Sequence, residues 1–283
     1  MPRYSHRSRT PRRNRGRFGP LFKLLCVLAV LVALTVGATV FFRVETVIVT
    51  GNRRYTEEEI IAASGIQLGD NLYSLNKVRI DRNLRTSLPY IGNLTINRSL
   101  PSTIVITVTE WEAVAQVAAP GPEQVAAYRE AAGESAVSAA QEPWLISVRG
   151  KLLEPAPANS AAIAVTGLTP LAPQAGSFLE VPEAEQTRLE ALTALLEVLE
   201  LREVLSEVSS IRLESTCLVA RYAGRFDVKM KLNADFDYDV RLMQSVRQQV
   251  EDMEGEDAAG SVDLTQERYG AVYSSAAGTP PRT

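Results

Sequence analysis

Histidine and cysteine are almost missing from this 283-residue chain, which has one histidine, His6, and two cysteines, Cys26 and Cys217. The body of the chain therefore has no imidazole for a metal ligand set or a Ser-His-Asp triad. Cys26 lies in an apolar run and Cys217 far beyond it, which excludes a disulfide framework and leaves Cys217 as a small buried hydrophobe. HExxH, CxxC, GxSxG, Walker and GxGxxG motifs are absent as well. Carboxylates are plentiful, but they cluster at Glu57–Glu59 and Glu251–Asp257, where solvated surface charge is the ordinary explanation. Asp235, Asp237 and Asp239 alternate, yet a calcium loop needs a glycine and a closing glutamate, and Arg241 and Gln244 do not supply them. The run reads instead as helix capping and dipole placement at Asp237. No catalytic, cofactor-binding or metal-binding residue and no small-molecule substrate is expected. A membrane-anchored envelope or cell-wall hydrolase with an unrecognised carboxylate pair is the alternative reading.

Acid is missing from one stretch in particular. Residues 1–23 carry seven arginines and Lys23 with no Asp or Glu, leaving 22 basic against 33 acidic residues in the remainder, a balance of −11. That remainder does not suit nucleic acid or anionic lipid. Charge of either sign is missing from Leu24–Phe42, nineteen residues bracketed by Lys23 and Arg43. As a helix this run spans roughly 28 Å, about the hydrocarbon thickness of a bilayer. The upstream arginines place the N-terminus in the cytoplasm and everything after Arg43 outside. A cleaved signal peptide is the rival reading, but its apolar core is shorter, and no clean cleavage site follows Gly37, Ala38 and Thr39.

Beyond the apolar run, VETVIVTG has strand composition and ends on Gly51. Thr56 and Glu59 form a capping box before EEEIIAAS, which stops at Gly65. Ser74 or Asn76 caps a second helix, KVRIDRNLRTS, which Pro89 halts. YIGNLTINRSL reads as a strand, and TIVITVT places Ile104, Ile106 and Val108 on one face of another. The order β-α-α-β-β implies two helices on one face of a three-stranded sheet. Residues 118–143 are alanine-rich, bounded by Pro-Gly-Pro and Pro143, and read as a surface insertion with a helix over Gln124–Ala132. A hairpin WLISVRGKLLE and the segment AIAVTGLTP follow. A long helix over 182–207 then carries the stripe Leu189, Leu192, Leu195, Leu196 and Leu199, read as core. IRLES, CLVARY and FDVKMKL read as strands, the last with one wet face. A helix over Asp237–Met253 precedes an acidic loop, and SVDLTQERYGAVYS reads as a strand pair or one bent strand.

These segments resemble the FtsQ/DivIB bacterial cell-division family. The correspondence runs through Val49–Gly51, Tyr55–Thr56, Gly69–Leu72, Pro89–Ile91, Arg98–Pro101 and Glu110–Ala115. It departs at Asp70, at Ala113 where proline is usual, and at Ser147 where an acid is usual. The resemblance implies an α+β chain: a basic cytoplasmic tail (1–23), a transmembrane helix (24–42), a POTRA-like domain (43–113), a β-rich second domain (114–274, with the insertion 118–143) and a disordered tail (275–283). It further implies a non-enzymatic divisome scaffold at the septum, a single-pass type II membrane protein with the bilayer contacted through residues 24–42. The implied partners are FtsL/DivIC-like and FtsB-like membrane proteins, with no nucleic acid and no cofactor. Strand addition at a C-terminal edge is the expected mode. The expected partner-binding residues are Val262, Asp263, Leu264, Gly270, Ala271, Val272 and Tyr273. Here Thr265 and Gln266 stand where the family has Arg-Tyr, and no tryptophan follows.

Overall fold

A computed structural model describes residues 18–133, 136–266 and 271–275. The basic tail before Phe18 and the C-terminal tail from residue 276 lie outside the described residues. Helix α1 runs Phe18–Phe41, somewhat earlier than the apolar run predicts. Its window Gly19–Gly37 is long and apolar enough to cross a membrane, and none of it is buried against the rest of the protein.

The chain then builds two sheets. Strand β1 (Thr46–Thr50), helices α2 (Glu57–Ser64) and α3 (Lys77–Ser87), and strands β2 (Ile91–Ser99) and β3 (Thr103–Glu110) realise the expected β-α-α-β-β order. β3 lies between β1, its parallel partner, and β2, its antiparallel one. The Thr56 hydroxyl accepts from Glu59 N while the Glu59 carboxylate takes Thr56 N–H, so the capping box forms. Asn76 is the cap that starts α3, accepting from Val78 and Arg79 N–H. Ile60, Ile80, Leu84, Ile104, Ile106 and Val108 meet in one core. Gly51 ends β1 at φ +86°, and a Cβ there would sit 2.1 Å from the Val108 carbonyl oxygen. Only glycine accepts that conformation and that approach.

The larger sheet is assembled from β4 (Ala115–Val117), β5 (Trp144–Ile146), β6 (Leu152–Pro155), β7 (Ile163–Thr166), β8 (Val208–Leu213), β9 (Cys217–Tyr222), β10 (Phe226–Lys231), β11 (Gly260–Asp263) and β12 (Val272–Ser275). Their spatial order is β12-β11-β10-β9-β8-β7-β4-β5-β6. Helices α5 (Gln186–Leu201) and α6 (Phe236–Glu254) cover one face. The leucine stripe of α5 joins Val240, Met243, Val246 and Val250 of α6 in the main core. Phe226, Val228 and Met230 of β10 point into that core, while Lys229 faces water.

Several expectations need correction. The long helix over 182–207 is three pieces: a 3-10 turn at Glu183–Glu185, α5, and a second 3-10 turn at Leu205–Glu207. Glu203, at φ +59°, breaks the helical path after Arg202. Asp235, not Asp237, caps α6, accepting from Tyr238 N–H; Asp237 pairs with Arg202 and Arg241 instead. In the insertion, helix α4 (Pro122–Ala132) buries no residue, but the following strip is pinned, with Ala140 buried and Ala139 bridged to Leu171. Ser275, expected to open the tail, ends β12.

Candidate partner-binding edge

β12 is the terminal strand of the larger sheet, and its position depends on the strands beneath it. β10 pairs in parallel with β11, and Leu264 N–H continues the ladder to the Lys229 carbonyl at 2.9 Å. β11 pairs antiparallel with β12, setting Val262 opposite Tyr273 and Asp263 opposite Val272. Val262 and Leu264 are buried in the main core. Their strand is flanked on both sides, so they carry the edge and do not form it. Ala271, Val272 and Tyr273 are half-buried and lie on or beside β12 itself. Gly270 lies outside the described residues. Among the described residues no strand covers the outer side of β12.

The alternation of a strand indicates what that side offers. The Ser274 carbonyl points at β11, 2.3 Å from where a Cβ on Gly260 would sit. In an antiparallel ladder the N–H and C=O of one residue share a side and those of its neighbour take the other. The backbone groups of Tyr273 therefore face away from β11. Gly260 is what allows this approach, since a Cβ there would also come within 2.7 Å of the Tyr273 ring. That ring makes an edge contact with Phe226 at 6.4 Å between centroids. Its hydroxyl donates to Glu254 Oε2 at 2.9 Å, with the Ala259 carbonyl 3.2 Å away. Burial, and then the bond to Glu254, pushes the Tyr273 phenol above its ordinary pKa. Asp263 accepts from both the amide (2.8 Å) and the hydroxyl (2.6 Å) of Thr265, fixing the turn out of β11. Burial pushes the Asp263 carboxyl up, but these bonds and Lys229 outweigh it and hold its pKa below the usual range.

A charged brace behind the edge was not legible in the sequence. Arg225 donates to Glu251 at 2.5 Å and to the Ala258 carbonyl at 3.2 Å, and it also bonds the Glu256 carbonyl. The loop between α6 and β11 is thereby fastened to β10. Arg247 donates to Glu251 (2.8 Å) and the Tyr222 hydroxyl (3.1 Å) and pairs with Glu207. Hydrogen bonding to Arg247, and next to Arg225, holds the Glu251 carboxyl below its ordinary pKa against the opposing effect of burial. Burial and the Glu207 contact push Tyr222 up to about 12. A glycine opening a strand, as Gly260 opens β11, marks close backbone approach at the edge but carries no sign of the arginines behind it. The partners of Arg225 are some thirty residues away, and no local pattern connects them.

The family match falls on the first sheet. Residues 42–111 match the POTRA domain, FtsQ-type. The cell division protein FtsQ of Corynebacterium glutamicum is 36% identical over 90 residues, covering 30% of this chain and 40% of that protein. The cell division protein DivIB of Geobacillus kaustophilus is 39% identical over 69 residues, covering 24% of this chain and 26% of that protein. The cell division protein FtsQ of Streptomyces coelicolor is 32% identical over 115 residues, covering 38% and 43%. The matched region spans less than half the length of each of these relatives. The chain is thus an α+β protein with an N-terminal apolar helix and an FtsQ-type POTRA domain, similar to the FtsQ and DivIB cell-division proteins.

Proposed function

We propose that this protein is a membrane-anchored, non-catalytic scaffold of bacterial cell division, recruiting other division membrane proteins by strand addition at β12. On this reading α1 is the single anchor, with the N-terminus cytoplasmic and residues 43–113 and 114–274 forming two extracytoplasmic domains at the septum. The partners are FtsL/DivIC-like and FtsB-like membrane proteins. The observation that carries the reading is the outer side of β12, which no strand among the described residues covers and which Arg225 and Glu251 brace from behind. An edge strand offers unpaired backbone groups to an incoming strand, and half-buried neighbours such as Val272 supply shallow specificity. Similarity to proteins named for cell division supports the setting.

The test uses the full chain in detergent or nanodiscs with candidate partners. Tyr273→Pro removes the outward amide donor from β12, whereas Tyr273→Phe keeps the ring and removes only the hydroxyl. Capture of the partner is expected to fall at least about tenfold for the proline variant and to stay near the parent level for the phenylalanine variant. Equal capture by a folded Tyr273→Pro chain would sink strand addition at this edge.

A further inference from the structure

The end of the POTRA domain nearest α1 has a composition unlike the rest of the extracytoplasmic chain. Four large apolar side chains stand exposed there: Leu68 at 73%, Val78 at 70%, Leu100 at 58% and Tyr73 at 55%. The charged residues of this end are Arg43, Lys77, Arg79 and Arg98 against Glu45 and Asp70, within a body whose overall charge is acidic. The segments bearing the four apolar residues come from distant parts of the domain, yet hydrogen bonds draw them to one place. The Phe42 carbonyl, one residue past α1, accepts from Leu72 N–H at 2.8 Å. Arg43 bridges Asn71. Val44 exchanges 2.8 Å bonds with Asp70 and Gly69, which fixes Leu68 beside it. Glu45 N–H donates to the Ser102 carbonyl at 2.8 Å, bringing the hairpin tip with Leu100 to the same end. Arg98 donates to the Leu75 carbonyl at 2.9 Å, bringing up the start of α3 with Val78.

An aromatic chain continues this surface into the helix. Phe41 meets Phe42 edge-on at 5.1 Å, and Phe42 meets Tyr73 edge-on at 5.1 Å, with the Arg98 guanidinium 5.8 Å from the Tyr73 ring. No linker separates helix from domain. Wherever α1 leaves the bilayer, Tyr73 is within two ring contacts of it.

We infer that this face, formed by Leu68, Tyr73, Val78 and Leu100 with Arg98 and Arg43 around them, docks onto the lipid surface that holds α1, seating the POTRA domain in the headgroup layer. The inference rests on the reading of α1 as a membrane span. Tyrosine and leucine beside basic residues suit the boundary between headgroups and acyl chains, where apolar groups sink about 5–10 Å and cations meet anionic lipid. The occupant is lipid because the face is continuous with the end of an apolar helix and richer in base than its surroundings. A domain held in this way has one fixed orientation, which points its far end, and the second domain, away from the membrane.

Depth-dependent quenching of single added tryptophans tests this in the full chain, reconstituted in nanodiscs containing phosphatidylglycerol and lipids brominated either near the headgroup, to read Leu68→Trp, or near the chain ends, to read Leu31→Trp. Signals are read as differences from the parent, which already has Trp111 and Trp144. Leu68→Trp reports the proposed face. Leu201→Trp, at a site 76% exposed in the second domain, reports water. Leu31→Trp, within α1, reports the anchor. Leu68→Trp is expected to be quenched severalfold more than Leu201→Trp. If Leu31→Trp is quenched by lipid while Leu68→Trp behaves like Leu201→Trp, the anchor stands and the docking face is overturned. If Leu31→Trp is not quenched, the membrane reading falls and this inference with it. A Leu68→Trp signal that escapes lipid quenching in single-copy nanodiscs but shifts to the blue in crowded liposomes assigns the face to a second copy, which also overturns it.

Discussion

At the scale of the residue, Asp239 shows how a single buried carboxylate sets a pH dependence. It is 7% exposed on the inner side of α6, and its Oδ2 has no hydrogen-bond partner among the described residues. Burial, followed by the neighbouring Asp235, raises its pKa to about 6, and Lys231 offsets only part of this. The unfolded chain releases this proton near the ordinary aspartate value, so the unfolded state loses its proton first as pH rises. Stability is therefore full in acid, declines as pH climbs through about 6, and stays reduced above that. Asp239→Asn removes the charge at nearly constant shape. It is expected to stabilise the protein at pH 7.5 by on the order of 1–2 kcal/mol and to leave it nearly unchanged at pH 4. Thermal melts of both chains across that range check this, and a variant less stable at both ends would show that the carboxylate has a partner it cannot lose.

At the scale of the element, Gly260 governs whether β12 forms an edge at all. Gly260→Ala puts a methyl against the Ser274 carbonyl and the Tyr273 ring, so β12 must move away or β11 must bend. A cost of roughly 1–3 kcal/mol is typical of such overpacking, and it falls on the outermost strand pair. Hydrogen exchange at residues 271–275 is expected to accelerate while β8–β10 stay protected, and partner capture should drop alongside. Unchanged exchange at β12 would mean that the close approach relaxes without loss. Elements of this kind were unevenly legible in the sequence. The first sheet was read almost residue by residue, because its signals are local: a capping box at Thr56–Glu59, a glycine stop at Gly65, and period-two burial at Ile104, Ile106 and Val108. In the larger sheet β4 went unread, because three residues between β7 and β5 carry no period of their own. The break in the long helix was equally hidden. Arg202 and Glu203 are good helix formers whose turn is set by tertiary pairing, with Arg202 held by Asp237 of α6. At the candidate edge, the sequence marked the strands, but the pairing order decides which of them is outermost. The sequence pattern does not separate Val262 and Leu264 from Tyr273, although the side chains of the first two are buried in the core.

At the scale of the whole molecule, the question is how the two sheets are held together, and one lysine reports on it. Lys151 stands in the hairpin between β5 and β6 of the larger sheet, only 3% exposed, and donates to the Ile91 carbonyl at the start of β2, 2.7 Å away. Around it Tyr90, Leu145 and Leu153 pack together with Tyr55 and Trp111. The Tyr90 hydroxyl donates to Glu154 at 2.6 Å, and Arg54, 3.8 Å over the Tyr90 ring, pairs with the same carboxylate at 3.0 Å. These contacts cross from one sheet to the other, so Lys151 is desolvated only while the sheets are docked. Burial, with Arg85 nearby, lowers its pKa to about 8. The unfolded chain keeps this proton up to the ordinary lysine value near 10.4. Between those limits the unfolded state binds more protons, and stability rises with pH. Below about 8 both states are charged, and the folded protein bears the full cost of burying the ammonium. Lys151→Met keeps the aliphatic stem and has no titration of its own. Between pH 7.5 and 9.5 the parent is expected to gain on the order of 1–2 kcal/mol relative to Lys151→Met. Denaturant unfolding of the two chains measured at both pH values gives that difference directly. Parallel changes in the two chains would mean that water reaches Lys151, and that the POTRA domain and the larger sheet move independently in solution.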